Sequence, residues 1–166
     1  MITIIDYGLG NISAFTNLYK RLNVPVAVAK NTRELQQADK LILPGVGDFD
    51  HAMDLLEKSA MRQTLDEMVL GQKIPILGVC VGMQMLASVS EEGHLPGLGW
   101  IDGKVRKFEV TKNFPSIRLP HMGWNEVVPT GSSPLFAGLE DKARFYFLHS
   151  FYFHCASPEN ILAVTD

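Results

Sequence analysis

Ile74-Pro-Ile-Leu-Gly-Val-Cys-Val-Gly-Met-Gln-Met-Leu86 is the stretch that decides the fold. An apolar run consistent with a buried strand enters Gly78-Val-Cys-Val-Gly82, and a helical pattern leaves it. A strand, a bend carrying Gly-x-Cys-x-Gly and a helix together have the form of a nucleophile elbow, with sulfur in place of the usual serine oxygen. A turn sharp enough to lift one side chain above a sheet leaves no room for side chains two residues to either side, which accounts for both glycines. Cys80 is therefore the candidate nucleophile. It opens a helix, where the dipole and free N–H groups favour thiolate over thiol, and the Val81 N–H is aimed at a developing oxyanion. A lone cysteine in apolar sequence is more often buried filler, which is the reading that suits Cys155.

Outward from this stretch, the first half of the chain alternates short β-branched runs with longer amphipathic ones, the pattern of crossover units on a parallel sheet. Residues 1–6, 24–29, 40–43 and 74–79 are expected as strands, and 11–22, 32–38 and 50–70 as helices. In the last helix Met53, Leu56, Ala60, Leu65 and Met68 form a core stripe. Beyond residue 95, stretches 100–110, 124–129 and 144–153 are expected as antiparallel strands, with irregular loops around 113–121 and 130–139. The run 144–153 is apolar on both faces, as a central strand covered on either side would be. On such a strand His149 and His154 point to opposite faces. The expected fold is α/β and three-layered: a flavodoxin-like, mostly parallel central sheet with an added antiparallel region, in one domain over residues 1–166.

Composition narrows the chemistry. The 166 residues, 46% hydrophobic and 20% charged, suit one globular core rather than disorder. A net charge of -3 argues against nucleic-acid binding. No apolar run approaches the roughly 18 to 20 residues that cross a bilayer, and no basic region precedes the apolar start, so neither a membrane span nor a secretory signal is expected. With two cysteines a reducing cytosol is expected. No His-x-x-x-His or paired-cysteine spacing supports a metal. Leu41-Ile-Leu-Pro-Gly-Val-Gly-Asp48 follows the third strand and is expected to end beside the elbow, offering backbone N–H groups. Gly8-Leu-Gly-Asn11 fails as a dinucleotide fingerprint because Ser13 stands where the third glycine is needed.

Six motifs, in order, carry a resemblance: Asp6-Tyr-Gly-Leu-Gly-Asn11, Leu43-Pro-Gly-Val-Gly47, Gly78-Val-Cys-Val-Gly-Met-Gln84, Ser90-Glu-Glu92, His121-Met-Gly-Trp-Asn125 and Leu148-His-Ser-Phe-Tyr152. Together the chain resembles the class I (triad) glutamine amidotransferases, and among them the glutaminase subunits of imidazole glycerol phosphate synthases of histidine biosynthesis. The resemblance implies that Cys80 attacks L-glutamine to form a thioester. The ammonia released passes to a (β/α)8-barrel cyclase held as a heterodimer in the cytoplasm. It implies an oxyanion hole at Val46, Gly47 and Val81, and a glutamine pocket lined by Gly47, Gln84, Glu92, Ser150 and Phe151. Asn11, Trp124 and Asn125 fall at partner-facing positions, and no cofactor or metal is implied. Phe151 stands where the family usually has tyrosine. The family's histidine and glutamate lie in a Phe-His-Pro-Glu motif that residues 1–166 lack, which implies that they belong to a further segment of an active protein. His149, beside the pocket, is not expected to replace that base. Three other readings stay open: a short, non-catalytic binding subunit, a glutaminase serving a different synthase, and a thiol redox sensor on a flavodoxin-like fold.

Overall fold

The computed structural model describes residues 1–109, 119–139 and 143–165. Its central feature is a four-stranded parallel sheet in which β1 (Ile2–Ile5), β2 (Val26–Ala29), β3 (Lys40–Gly45) and β4 (Ile76–Cys80) stand in the order β2-β1-β3-β4. The connections are helical. α1 (Ile12–Arg21) is started by the Asn11 side chain, which accepts the Ala14 N–H, and ends on Lys20 and Arg21, whose charges suit a helix C-terminus. α2 (Thr32–Leu35) is one turn, and α3 (Phe49–Lys58) is capped by Asp48. α4 (Arg62–Asp66) runs into a π-helical turn over Glu67–Gly71, and α5 (Val81–Gln84) follows β4 directly. α3 buries Phe49, Ala52, Met53 and Leu56 in a core shared with Leu41, Leu43, Leu65, Val81 and Met85. Each of these side chains larger than alanine contributes about 1.5–3 kcal/mol.

The later elements are β5 (Val89–Ser90), β6 (Gly103–Lys107), β7 (His121–Glu126), β8 (Val128–Pro129), β9 (Arg144–His149), β10 (Phe151–Cys155) and β11 (Ala163–Val164). Antiparallel pairing dominates, joining β7 to β9, β10 to β6 and β11 to β8, while β5 runs parallel to β6. Among the described residues no helix is long and apolar enough to cross a membrane.

Four expectations are corrected. Residues 50–70 are not one helix. α3 ends at Lys58, the Ser59 hydroxyl donates back to the Leu56 carbonyl, and Ala60 takes a left-handed φ of 57° before α4 begins. Met53, Leu56, Leu65 and Met68 are buried as expected, but Ala60 is the exposed break. The run 144–153 is not one covered strand either. It bends at Ser150 so that β9 and β10 pair with different partners, and Phe145, Tyr146 and Leu148 are exposed. His149 and His154 consequently lie on different strands. The strand expected over 100–110 is confined to Gly103–Lys107; Trp100 instead packs on the core, its Nε1–H donating to Asp66 Oδ1 at 2.6 Å. Finally β4 is covered on one side only, with Leu77 exposed. Val110 and most of the loop expected over 113–121 lie outside the described residues.

The break at Ala60 carries a prediction of definite sign. A left-handed alanine is strained by roughly 1 kcal/mol, so Ala60→Gly should stabilise the protein by about 0.5–1 kcal/mol in urea denaturation. Inside a continuous helix the same substitution would destabilise it by about as much.

Candidate active site

Cys80 is the last residue of β4 and has φ 56° and ψ −121°, a conformation that costs a non-glycine residue about 1–3 kcal/mol. Its side chain is exposed. Strain of this kind persists only where the surroundings enforce it, and here they do. A Cβ at Gly82 would overlap the Leu43 carbonyl oxygen, one at Gly45 would overlap the Gly82 nitrogen, and one at Gly78 would lie 2.5 Å from Met83 Cα. The bend is thus pressed, backbone to backbone, against the end of β3. The helix behind it is shorter than expected: α5 is a single turn, so no long helix dipole backs Cys80.

The loop after β3 ends where the strand rule places it. Gly45 is the register partner of Cys80, so Val46 and Gly47 follow one and two residues beyond it, beside the thiol. Val46 is 56% exposed, whereas Val81 is buried. Gly47 has φ 88°, a value that glycine adopts without strain. Gln84, on α5, is buried, and among the described residues its Oε1 has no hydrogen-bond partner. A buried acceptor left unpaired is costly and points to a donor that arrives from elsewhere.

Glu92 is brought to the start of α3. The Asp50 carboxylate accepts the backbone N–H groups of His94 at 2.9 Å and Leu95 at 2.9 Å, and the Ser90 hydroxyl accepts the Glu92 N–H at 3.1 Å. These bonds hold residues 90–95 against Asp48 and Phe49. The two acids respond in opposite ways. The donated N–H groups of His94 and Leu95 lower the Asp50 pKa, while burial first and the Asp48 charge second raise that of Glu92, against a bond from the Phe49 N–H. Glu92 is a carboxylate held where its charge is unwelcome, the condition in which a cationic ligand gains most.

Ser150 and Phe151 form the bend between β9 and β10. The Ser150 carbonyl accepts the Phe108 N–H at 3.3 Å, and His149 Nδ1–H donates to the Phe151 carbonyl at 2.8 Å. Phe151 pairs with Lys107, whose N–H donates to Glu91 at 2.7 Å, so the bend is joined to the Glu92 loop through β6. Burial, with a smaller effect of His121, lowers the His149 pKa against the raising effect of its bond to Phe151. His149 Nε2 lies 2.8 Å from His121 Nδ1. Its Nδ1–H is committed to the carbonyl, so Nε2 is the acceptor of the His121 proton when the ring is neutral.

Cys80 and Val81 therefore lie beside the strand end that leads into Val46 and Gly47, with Gln84 on α5, Glu92 at the start of α3, and Ser150 and Phe151 on the bend joined to β6. Asn11, Trp124 and Asn125, expected at partner-facing positions, lie on two elements, the cap of α1 and β7. Trp124 and Asn125 are consecutive on β7 and point to opposite faces, Trp124 60% exposed against Tyr146 and Asn125 3.1 Å from His121 Nε2, while Asn11 caps α1. A shallow depression lined by Met1, Val28, Asn31 and Glu34 lies at β2, the far edge of the sheet from β4, and includes none of these residues. Sequence reasoning missed Asp50 and the histidine pair. Asp-Phe-Asp ahead of a helical run signals a helix start, but nothing local announces the bonds to His94 and Leu95.

Known proteins share this arrangement of sequence. Residues 3–165 match the family described as Glutamine amidotransferase class-I. The chain is 60% identical over 163 residues to the "Imidazole glycerol phosphate synthase subunit HisH" of Bdellovibrio bacteriovorus, covering 98% of this chain and 80% of that one. It is 48% identical over 166 residues to the protein of the same name from Leptospira interrogans, covering 100% and 81%. A solved glutamine amidotransferase superposes with a TM-score of 0.73 at 18% identity, over 98% of this chain and 78% of that one, which is a likeness of fold.

Two outcomes are expected from this geometry. Gly82→Ala meets backbone that no rotamer change can clear, so it should cost about 3 kcal/mol or more in urea denaturation. Gly71→Ala, at an open position, should change stability by less than about 1 kcal/mol. For Glu92, a raised pKa means that the folded state keeps its proton to higher pH than the unfolded chain. Its carboxylate thus destabilises the fold fully above the folded pKa, and the penalty vanishes below the unfolded value of about 4.3. Glu92→Gln should raise Tm at about pH 8 and confer no advantage below about pH 4; an unchanged Tm at the higher pH would contradict the assigned environment.

Proposed function

The chain belongs to the class I glutamine amidotransferase family, and from that premise we propose that it is the glutaminase subunit of an imidazole glycerol phosphate synthase. It would hydrolyse L-glutamine to glutamate and supply the ammonia to a cyclase. The observation that carries this reading is the exposed Cys80 thiol at a positive-φ elbow, with the Gly45–Gly47 end of β3 alongside it. The names of the HisH relatives support the choice of synthase.

In the proposed reaction the substrate ammonium lies at Glu92, a charge-assisted pairing that the partly buried, like-charged surroundings of that carboxylate favour. Gln84 Oε1, the unpartnered acceptor, takes a hydrogen bond from the substrate. Cys80 Sγ attacks the carboxamide carbon. The negative charge that develops on the carboxamide oxygen is met by backbone N–H groups of Val46, Gly47 and Val81, donors that need no reorganisation if fixed in advance. The carbon–nitrogen bond then breaks, the nitrogen leaves as ammonia, and water hydrolyses the thioester to glutamate and restores the thiol. Gly47, Ser150 and Phe151 line the substrate's path; Phe151 offers a ring without a phenolic hydroxyl. The proton of the thiol needs an acceptor. His149 is unsuited, with Nδ1 bound to the Phe151 carbonyl and Nε2 to His121. The family resemblance assigns that step to the histidine of a Phe-His-Pro-Glu motif, which residues 1–166 do not contain.

The proposed unit is a single glutaminase domain working in the cytoplasm, and its proposed partner is a (β/α)8-barrel cyclase held as a heterodimer. Trp124, exposed beside Tyr146, is the side chain best placed to meet that partner. With the barrel partner present, the full-length protein should release glutamate from glutamine. Cys80→Ala should reduce that turnover by about a thousandfold or more. A glutamine-analogue electrophile should add its mass to Cys80, and glutamine should compete with it. Undiminished turnover in Cys80→Ala, or labelling indifferent to glutamine, overturns the reading.

A further inference from the structure

We propose that Tyr7 is a positioning residue for this glutaminase step: its phenolic O–H, donating to the Pro44 carbonyl, holds the Gly45–Gly47 segment where its backbone N–H groups meet the reacting oxygen. The inference rests on the reading of Cys80 and the oxyanion loop given above.

Backbone pairing between β1 and β3 ends at Ile4 and Ile42, two residues short of Pro44. Proline has no N–H of its own to donate. Past that point the bond from the β1 segment to the end of β3 is supplied by a side chain: Tyr7 Oη donates to the Pro44 carbonyl at 2.8 Å. Tyr7 is 4% exposed and belongs to the main core. Burial pushes its phenol far above the ordinary value, so the hydroxyl stays a donor throughout the working pH range. Oη also lies 3.6 Å from Met85 Sδ, just beyond α5. One hydroxyl therefore touches both halves of the site, the strand end that precedes Val46 and the residue that follows the elbow helix.

Past the last β3–β4 pair, Gly45 with Cys80, the segment is soft. Two of the three residues after Pro44 are glycines, and Gly47 stands at φ 88° with open space around it. On the β4 side Pro44 and Gly45 are held by pairing with Val79 and Cys80 and by the contact of Gly45 with Gly82, and Val46 and Gly47 lie past the last pair. On the β1 side a Cβ at Gly10 would lie 2.8 Å from Pro44 Cβ, so the ring is packed there, yet packing does not set the rotation of the Pro44–Gly45 peptide plane. The hydrogen bond to its carbonyl fixes that plane from the β1 side. Without that donor the plane is held from the β4 side alone, and donors misplaced by a fraction of an ångström lose their value in the transition state rather than in substrate binding.

The test compares Tyr7→Phe with the unaltered sequence, each as the full-length protein in complex with the cyclase partner and each normalised by titrating reactive Cys80 with the glutamine-analogue electrophile. Turnover per reactive thiol should fall about tenfold, with KM for glutamine within about twofold. Alkylation of Cys80 by iodoacetamide forms no tetrahedral oxyanion, and its rate should stay within about twofold. Incorporating 4-aminophenylalanine at position 7, which keeps a donor at the ring's end, should restore at least about half of the turnover. Turnover per thiol unchanged in Tyr7→Phe, a rise in KM alone, a parallel fall in alkylation, or no rescue by the amino analogue each overturns the positioning role. An unaltered complex that titrates with the electrophile but releases no glutamate overturns the glutaminase reading, and this inference with it.

Discussion

The contact of the Gly82 backbone with the Leu43 carbonyl is the constraint on which the rest of this structure depends. It brings the bend after β4 down on the end of β3, and in doing so it sets Cys80 at a backbone angle that the residue would not choose. The unfavourable φ is local, whereas what holds it is distributed. Parallel pairing along Leu41–Gly45 with Ile76–Cys80 and the burial of Val81 and Met85 in the core share the load. Because the strands share register to their last residues, the same contact that bends one strand aligns the loop of the other. The placement of Cys80 and that of the Val46–Gly47 backbone proposed as oxyanion donors are then consequences of one packing event.

Electrostatics divide the acidic residues at the start of α3 by what reaches them. Asp48 caps the helix and Asp50 gathers the N–H groups of His94 and Leu95, so both are used up in holding structure. Glu92 is pinned beside them by those very bonds and receives one opposing N–H against burial and a neighbouring negative charge. A fold optimised only for stability would place a neutral group there. The unfavourable carboxylate is the kind of departure that marks a residue kept for a ligand.

Much of this was legible in the residues because it was local. The elbow needs only five consecutive positions to be recognised, and the strand rule brings the Pro44–Gly47 loop beside it without knowledge of any contact. The parallel half was likewise readable from β-branched runs separated by helical periodicity. The failures share a cause. Ala60 continues the apolar stripe and nothing about alanine announces a left-handed turn, so periodicity carried the expected helix across the break. In 144–153 apolar residues on both faces looked like a covered strand, but Ser150 divides the run between two different pairings, and those partners are set by distant strands. The pairing of His121 with His149 and the clamp of Asp50 on the 90s loop join residues 28 and 44 positions apart, beyond any local pattern.

The glycines at 45, 78 and 82 have a genetic consequence. Any missense change in a glycine codon adds at least a methyl's worth of atoms, and at these positions the nearest atoms belong to the main chain. At these three codons the main chain itself, and no movable side chain, closes the space to every other amino acid.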